Sequence, residues 1–150
     1  MAPQGTFMTY KCKHFSIEEL APPELCEELH EDLIWAMFDE NVLKFADWLK
    51  GFCGGASVTV NTWIWGGNLK QSGLRTKSSE YYSETSQHSK GCALDLKVEG
   101  WTAEALRQAL RKHEEEVAPV PYITRVEDKV TWLHVDTKPT GKDKLYFFNP

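Results

Sequence analysis

The residue types best suited to metal chemistry in this sequence are His88, Asp95 and His134. Imidazole nitrogen and carboxylate oxygen are common zinc ligands, and catalytic zinc sites combine three protein ligands with an open position for water. His88 and Asp95 are seven residues apart, with Gly91 between them for a turn before a strand. The same two residues could instead form a structural hydrogen bond within a turn, so this spacing alone is a weak indicator of a metal site.

Two predicted strands strengthen the prediction of a metal site. Residues 93–98 and 130–136 both alternate between apolar and polar side chains, as half-buried strands do. In the first strand Asp95 points away from the apolar side chains, and in the second His134 and Asp136 do the same. If both apolar faces meet the helices of one domain, Asp95 and His134 share the opposite face of one sheet.

The remaining elements explain how such a sheet could be built. In chain order we predict helices at 16–19, 24–31 and from Asp39 to Gly54, a strand at 57–61, a long loop at 66–90, a strand at 93–98, a helix at 102–117, strands at 122–126 and 130–136, and an edge strand at 145–148. Helices first and strands later favour an α+β domain with an antiparallel sheet and helices packed on one face. Long loops in compact domains are often functional.

Length and composition narrow the classes of function. The chain has 150 residues, the size of one domain, which we place at 1–150. Its formal net charge of -5 argues against nucleic acid as a partner. No apolar run is long enough for a membrane span, and no signal peptide is recognisable at the N-terminus, so we expect synthesis in the cytoplasm. The four cysteines form no CxxC pair and are expected to be reduced.

Residues 86–95 also carry a motif. They fit the pattern SxHxxGxAxD at all of its fixed positions, which are Ser86, His88, Gly91, Ala93 and Asp95. This resembles the signature of the zinc D-alanyl-D-alanine carboxypeptidases and phage cell-wall endopeptidases. The later His-Val-Asp at 134–136 is similar to the family's third-ligand segment, and Ser-Gly-Leu-Arg at 72–75 to its substrate-contacting loop. The resemblance extends over residues 14–138 and implies the hedgehog/D,D-peptidase fold.

The resemblance also implies roles for individual side chains. Zinc held by the two histidines and Asp95 would polarise the scissile carbonyl and activate water. Arg75 would hold a substrate carboxylate or the developing oxyanion, and Ser86 would hydrogen-bond the substrate. Asp136 would orient a zinc ligand or hold a proton. Tyr82, in the loop before the motif, either lines the substrate groove or packs the loop.

The usual general bases of the family are replaced in this chain. Thr131 and Trp132 stand where other members carry an acidic residue or a histidine shortly before the last zinc ligand. Glu127 and Asp128 are expected at a hairpin turn, far along the strand from that ligand, so we expect Asp136 to matter more. Two further candidates lie in the loop, Glu80 and Glu84.

The sequence therefore predicts a zinc-dependent peptidase that hydrolyses peptide bonds in bacterial peptidoglycan stem peptides, as a D,D-carboxypeptidase or an endopeptidase. The alternative is a non-catalytic, zinc-stabilised binding or structural module, such as a phage particle component. The expected partners are peptidoglycan peptides and, under the alternative, other phage particle proteins. The protein would act on the cell wall after release or be carried in the particle.

Overall fold

The computed structural model describes residues 9–150, which contain four α-helices and five strands. The helices are α1 (Pro23–Glu28), α2 (Glu31–Trp35), α3 (Glu40–Phe52) and α4 (Ala103–Glu116). The strands are β1 (Val58–Thr59), β2 (Ala93–Val98), β3 (Arg125–Glu127), β4 (Leu133–Asp136) and β5 (Tyr146–Phe148). None of the helices in this part of the chain is long and apolar enough to cross a membrane.

The five strands form one mixed sheet in the order β1-β2-β4-β3-β5. Three of the four neighbouring pairs are antiparallel, but β5 runs parallel to β3. The prediction of a purely antiparallel sheet is therefore wrong at its last strand. The connection at 137–145 carries the chain past the end of β3, so β5 pairs with a strand that runs in its own direction.

The two faces of the central strands differ as their alternation predicted. The apolar side chains of β2 and β4 are fully buried and join helix residues in one cluster, which includes Leu94, Leu96, Leu133, Val135, Leu106, Leu110, Phe45 and Leu49. On the other face the side chains of Asp95 and His134 contact each other. The core thus fixes the strands from one side and leaves their polar side chains on the other.

The N-terminal helices depart from prediction in one place. The helix expected at 24–31 ends at Glu28, and a second helix begins at Glu31. The break lies at His30, whose ring Nδ1 accepts a hydrogen bond from the backbone N–H of Asp32 and so caps α2. The predicted start of α3 is confirmed: Asp39 caps the helix, and its carboxylate accepts a hydrogen bond from the backbone N–H of Asn41 at 2.8 Å.

The loop at 66–90 contains no helix or strand, as expected, and its Arg75 contacts Asp95 on the polar face of the sheet. Its backbone is bound to the sheet and to the N-terminal segment. Ser72 accepts a hydrogen bond from the backbone N–H of Asp95 at 2.7 Å, and Leu74 donates one to Leu20 at 2.9 Å. A side chain at Gly73 would place its Cβ 2.0 Å from the Leu20 carbonyl oxygen, so only glycine fits this contact.

Candidate metal centre

His88, Asp95 and His134 meet at one point on the polar face of the sheet. Asp95 and His134 are directly opposite each other in the antiparallel pair β2–β4. His88 arrives from the turn that precedes β2. One potential ligand atom of each residue lies within 4.8 Å of the other two, and the histidines are buried. The structure therefore brings together all three predicted ligands in a cluster that can bind a metal ion.

The turn at Gly91 makes this meeting possible. Gly91 has φ +71°, in the left-handed region that favours glycine, and an added Cβ would lie 2.1 Å from the carbonyl oxygen of Met37. Its own carbonyl accepts a hydrogen bond from the backbone of Asp39 at 2.9 Å. The turn is thus fixed against the start of α3, and it sets the position of His88 relative to Asp95.

His88 is oriented by the backbone of the loop. Its Nδ1 lies 2.9 Å from the carbonyl oxygen of Gly73, and a carbonyl can only accept, so Nδ1 carries the proton. The other ring nitrogen, Nε2, is therefore the one with a free electron pair. It lies 3.2 Å from Oδ1 of Asp95. This is the tautomer and direction that metal binding requires.

His134 is held by carboxylates on both sides of its ring. Its Nδ1 lies 2.9 Å from Oδ1 of Asp95, and its Nε2 lies 2.9 Å from Oδ2 of Asp136. Asp136 is fully buried, and Arg125 donates to both of its oxygens, at 2.8 and 2.7 Å. A histidine that donates one N–H to a paired carboxylate and turns its other nitrogen to a metal is a common arrangement in metalloproteins.

The electrostatics of the cluster favour positive charge. Burial alone would lower the pKa of His134, but hydrogen bonds to Asp136 and Asp95 outweigh it and raise that pKa to about 9. Burial would raise the pKa of Asp95, but its close contacts with His134 and His88 hold it well below its usual range. Two ionised carboxylates thus surround the histidines, and a divalent cation is a suitable counter-charge for them.

The spacing of the ligand atoms also fits a small metal ion. Zinc lies about 2.0–2.1 Å from nitrogen and oxygen ligands, which separates neighbouring ligand atoms of a tetrahedron by about 3.3 Å. The separations of 3.2 and 2.9 Å between Asp95 Oδ1 and the two histidines are close to this value. The donor set and these two separations are compatible with one metal ion held between the three side chains.

Arg75 lies beside the cluster. Its side chain is 18% exposed, and its Nη2 lies 3.4 Å from Oδ2 of Asp95. Its Nε donates to the carbonyl oxygen of Gln71 at 2.8 Å, which fixes the direction of the side chain. Arg75 and Asp95 both line a groove of about 490 Å³. A cation thus lies in the wall of the groove next to the metal ligands.

The two predicted substrate-binding residues lie in different surroundings. Ser86 lines a smaller cavity of about 200 Å³ together with His88 and His134, and its Oγ accepts a hydrogen bond from the His88 backbone at 3.2 Å. Tyr82 is half-buried in the loop. Among the described residues it is Tyr81 that lines the larger groove, with its ring 5.8 Å from the Arg75 guanidinium.

Glu127 is closer to the cluster than the sequence suggested. It is the last residue of β3 and not part of the turn. The antiparallel register pairs Arg125 with Asp136 and Val126 with Val135, so the next step places Glu127 opposite His134. Both residues line the smaller cavity. The expectation that Glu127 lies far from His134 is wrong, because the turn of the hairpin is longer than expected: β4 begins at Leu133, and Glu127 is still part of β3.

Asp128, the neighbour of Glu127, points to the other side of the sheet. Its carboxylate accepts a hydrogen bond from Arg111 at 2.9 Å and lies 3.5 Å from Arg107, both on α4. Strand alternation explains why adjacent acidic residues separate in this way. Nothing in the sequence distinguishes the two residues until the register of the hairpin is known.

No model of a known protein family matches the chain, and no curated protein or solved structure matches it either.

Proposed function

We propose that this protein is a zinc-dependent peptidase that hydrolyses peptide bonds in bacterial cell-wall stem peptides. The observation that carries the proposal is the meeting of His88, Asp95 and His134 beside a groove whose wall contains Arg75. A site of two imidazoles and one carboxylate is typical of catalytic zinc. The resemblance of residues 86–95 to cell-wall peptidases suggests the class of substrate.

Zinc bound at such a site supplies a Lewis acid for the scissile carbonyl and lowers the pKa of a water molecule. Asp136 acts through His134. Its carboxylate accepts a hydrogen bond from the Nε2–H group of His134 and is itself held by Arg125, so the imidazole is kept in one orientation. This burial and pairing make Asp136 a positioning residue in our proposal. A general base needs access to the attacking water, which a fully buried carboxylate paired with an arginine lacks.

Glu127 is the residue that we propose as general base. It is half-buried, lies opposite His134 in the register of β3 and β4, and lines the same small cavity as both histidines. A general base must reach its proton directly or through one water molecule. The Glu127 carboxylate would take a proton from the attacking water and transfer it to the departing amine. This assignment replaces the acidic residue that the family carries at the position of Thr131.

Arg75 binds a carboxylate of the substrate in this proposal. An arginine fork binds a carboxylate through two N–H groups, and the contacts of Arg75 with Gln71 and Asp95 hold the fork in place before substrate arrives. Because Arg75 lines the groove that also contains Asp95, a carboxylate bound there lies next to the metal ligands. The bond to be cleaved would then be close to an acidic group or a C-terminus.

The test is hydrolysis of defined cell-wall fragments, followed by mass spectrometry. Zinc-loaded protein should release a peptide or an amino acid, and a chelator should stop the release. Arg75→Ala should keep zinc and its melting temperature while hydrolysis falls about 10- to 100-fold, the range expected for losing a charge-assisted hydrogen bond. Lys77→Ala, an exposed cation in the same loop, is the matched control and should change little.

Two results would contradict the proposal. The first is zinc binding without cleavage of any fragment, which would favour the non-catalytic, zinc-stabilised module. The second is equal hydrolysis by the parent protein and by Arg75→Ala, which would remove Arg75 from the substrate site.

A further inference from the structure

The sheet positions next to Asp95 and His134 carry a cation and an aromatic ring. Continuing the antiparallel register of β2 and β4 by two residues from these ligands brings Lys97 opposite Trp132. Because alternate residues of a strand share a face, Lys97 lies on the face of Asp95, about 7 Å along the strand. Lys97 and Trp132 line the same groove as Arg75. The groove thus extends from the metal ligands over this pair.

The groove is positively charged in a protein that is negatively charged overall. It is lined by the cations Lys70, Arg75 and Lys97 and by the acids Glu80 and Asp95. The formal net charge of the chain is -5, so a lining with more cations than anions departs from the average surface. A metal ion bound by Asp95 would make the groove more positive still. This charge is complementary to an anionic ligand.

Among the described residues 9–150, two of these cations form no ion pair. In the part of the chain that the structure describes, the ion pairs made by lysine are those of Lys11, Lys44 and Lys112. Lys70 and Lys97 are exposed and are not among the lysines of these ion pairs. Lys97 differs from Lys70 in that its backbone belongs to the central sheet, so its distance from the metal ligands is fixed.

We infer that Lys97 and Trp132 form a second subsite, which binds an acidic residue of the substrate peptide. The ammonium group of Lys97 pairs with the carboxylate, and the half-exposed indole of Trp132 covers the apolar part of the same residue. This inference rests on the proposed function. It narrows the substrate class to peptides with two carboxylates, one bound by Arg75 and the other by Lys97.

A matched pair of ligands tests the subsite. Two synthetic stem pentapeptides are compared, in both of which the second residue is acidic and is joined to the third through its side-chain carboxyl. The α-carboxylate of this second residue is free in one peptide and converted to the amide in the other. Their affinities for the zinc-loaded protein are measured by isothermal titration calorimetry, and the peptides are checked for cleavage by mass spectrometry afterwards. The wild type should bind the acidic peptide about fivefold more tightly, the gain expected from one exposed ion pair.

Variants assign the preference to one side chain. Lys97→Gln should lose the preference for the acidic peptide and keep the affinity for the amide. Lys97→Arg, which keeps the charge, should retain the preference. Lys112→Gln removes an exposed lysine from α4 and should behave as the wild type.

Equal affinity of the wild type for the two peptides would overturn the subsite. So would no measurable binding of either peptide, or an equal loss of affinity for both in Lys97→Gln. Selective binding of the acidic peptide without any cleavage would contradict the proposed hydrolysis and leave the subsite standing. Cleavage of both peptides without a difference in affinity would overturn the subsite alone.

Discussion

His134 illustrates how the cluster depends on residues that would not touch the metal. Its Nε2 is bound by Asp136, and Asp136 is in turn held by two hydrogen bonds from Arg125. His88 is oriented differently, by the backbone carbonyl of Gly73, which no side-chain substitution removes. The two histidines therefore differ in how they respond to mutation, and Asp136 is the position at which orientation can be tested separately from ligation.

Removal of a ligand should remove the metal. We expect the purified wild type to contain about one zinc per chain, and His134→Ala to contain less than a tenth of that, because two remaining ligands bind zinc weakly. His14→Ala is the control, since His14 is exposed and lies outside the cluster. Elemental analysis by mass spectrometry measures the zinc content. Equal zinc in the wild type and in His134→Ala would contradict the assignment of this ligand.

The roles of Asp136 and Glu127 should separate in two measurements. Asp136→Asn weakens the acceptor for His134 Nε2, so zinc affinity should fall about 10- to 100-fold in competition with a chromophoric chelator. Glu127→Gln leaves the ligands and their supports unchanged, so it should bind zinc as the wild type does. At saturating zinc, however, its hydrolysis should be about 10²- to 10⁴-fold slower.

The reverse pattern would return the role of general base to Asp136. It would consist of full hydrolysis by Glu127→Gln and normal zinc affinity with lost hydrolysis in Asp136→Asn. Both variants should first be checked for native melting temperature in zinc, because Asp136 also neutralises Arg125 in the protein interior.

Alternation along single strands was predictable, and pairing between strands was not. The period of two in residues 93–98 and 130–136 was enough to place Asp95, His134 and Asp136 on one face. The position of Glu127 depends on which residue lies opposite it, and the distance along the chain carries no information about that. The strand β5 was predicted as an edge strand at 145–148, but its parallel direction was not, because the connection at 137–145 has no signal for which edge of the sheet it reaches.

Local capping chemistry explains the remaining difference among the helices. His30 lies within a run of acidic and apolar residues, a composition typical of a helix interior, so the helix predicted at 24–31 included it. In the structure the backbone at His30 is extended, with ψ 142°, and its ring caps the next turn. Side-chain capping of this kind competes with helix continuation, and composition alone does not decide between them.

The turn that delivers His88 should be intolerant of a side chain at Gly91. Gly91→Ala and Gly100→Ala both place alanine at positive φ, which costs about 1–2 kcal/mol in each. Gly100 has open space around it, whereas a Cβ at Gly91 overlaps the Met37 carbonyl. We therefore expect the free energy of unfolding to fall by about 1–2 kcal/mol in Gly100→Ala and by at least about 3 kcal/mol in Gly91→Ala.

Urea denaturation of the two glycine variants measures the difference. Gly91→Ala should also bind zinc more weakly, since the turn sets the distance from His88 to Asp95. Equal destabilisation of the two variants would show that the contact with Met37 relaxes at little cost.

The site draws on the whole length of the described chain. Leu20, near its start, binds the loop that carries Arg75, and Trp63 donates from its indole to the carbonyl of Ala21 at 2.9 Å. The ligands themselves come from a turn and two central strands. A metal ion that binds only when these parts are assembled must stabilise the folded state.

Zinc should therefore raise the melting temperature. With free zinc at 100 times its dissociation constant, the folded state gains about 2.7 kcal/mol. For a domain of this size that gain corresponds to a rise of about 5–11 °C. His134→Ala should show no such rise in the same calorimetric or fluorescence experiment. An unchanged melting temperature in the wild type on adding zinc after chelation would contradict metal binding by the folded protein.

Asp95 and His134 lie opposite each other on the two strands at the centre of the sheet, β2 and β4. An ion held by both ties the two strands together, so they can separate only after the ion has left. The backbone amides between β2 and β4 should then exchange their hydrogen with solvent more slowly as free zinc increases, in proportion to its excess over the dissociation constant. Amides of the edge strand β5, which opens without disturbing the ligands, should exchange at a rate that zinc leaves unchanged.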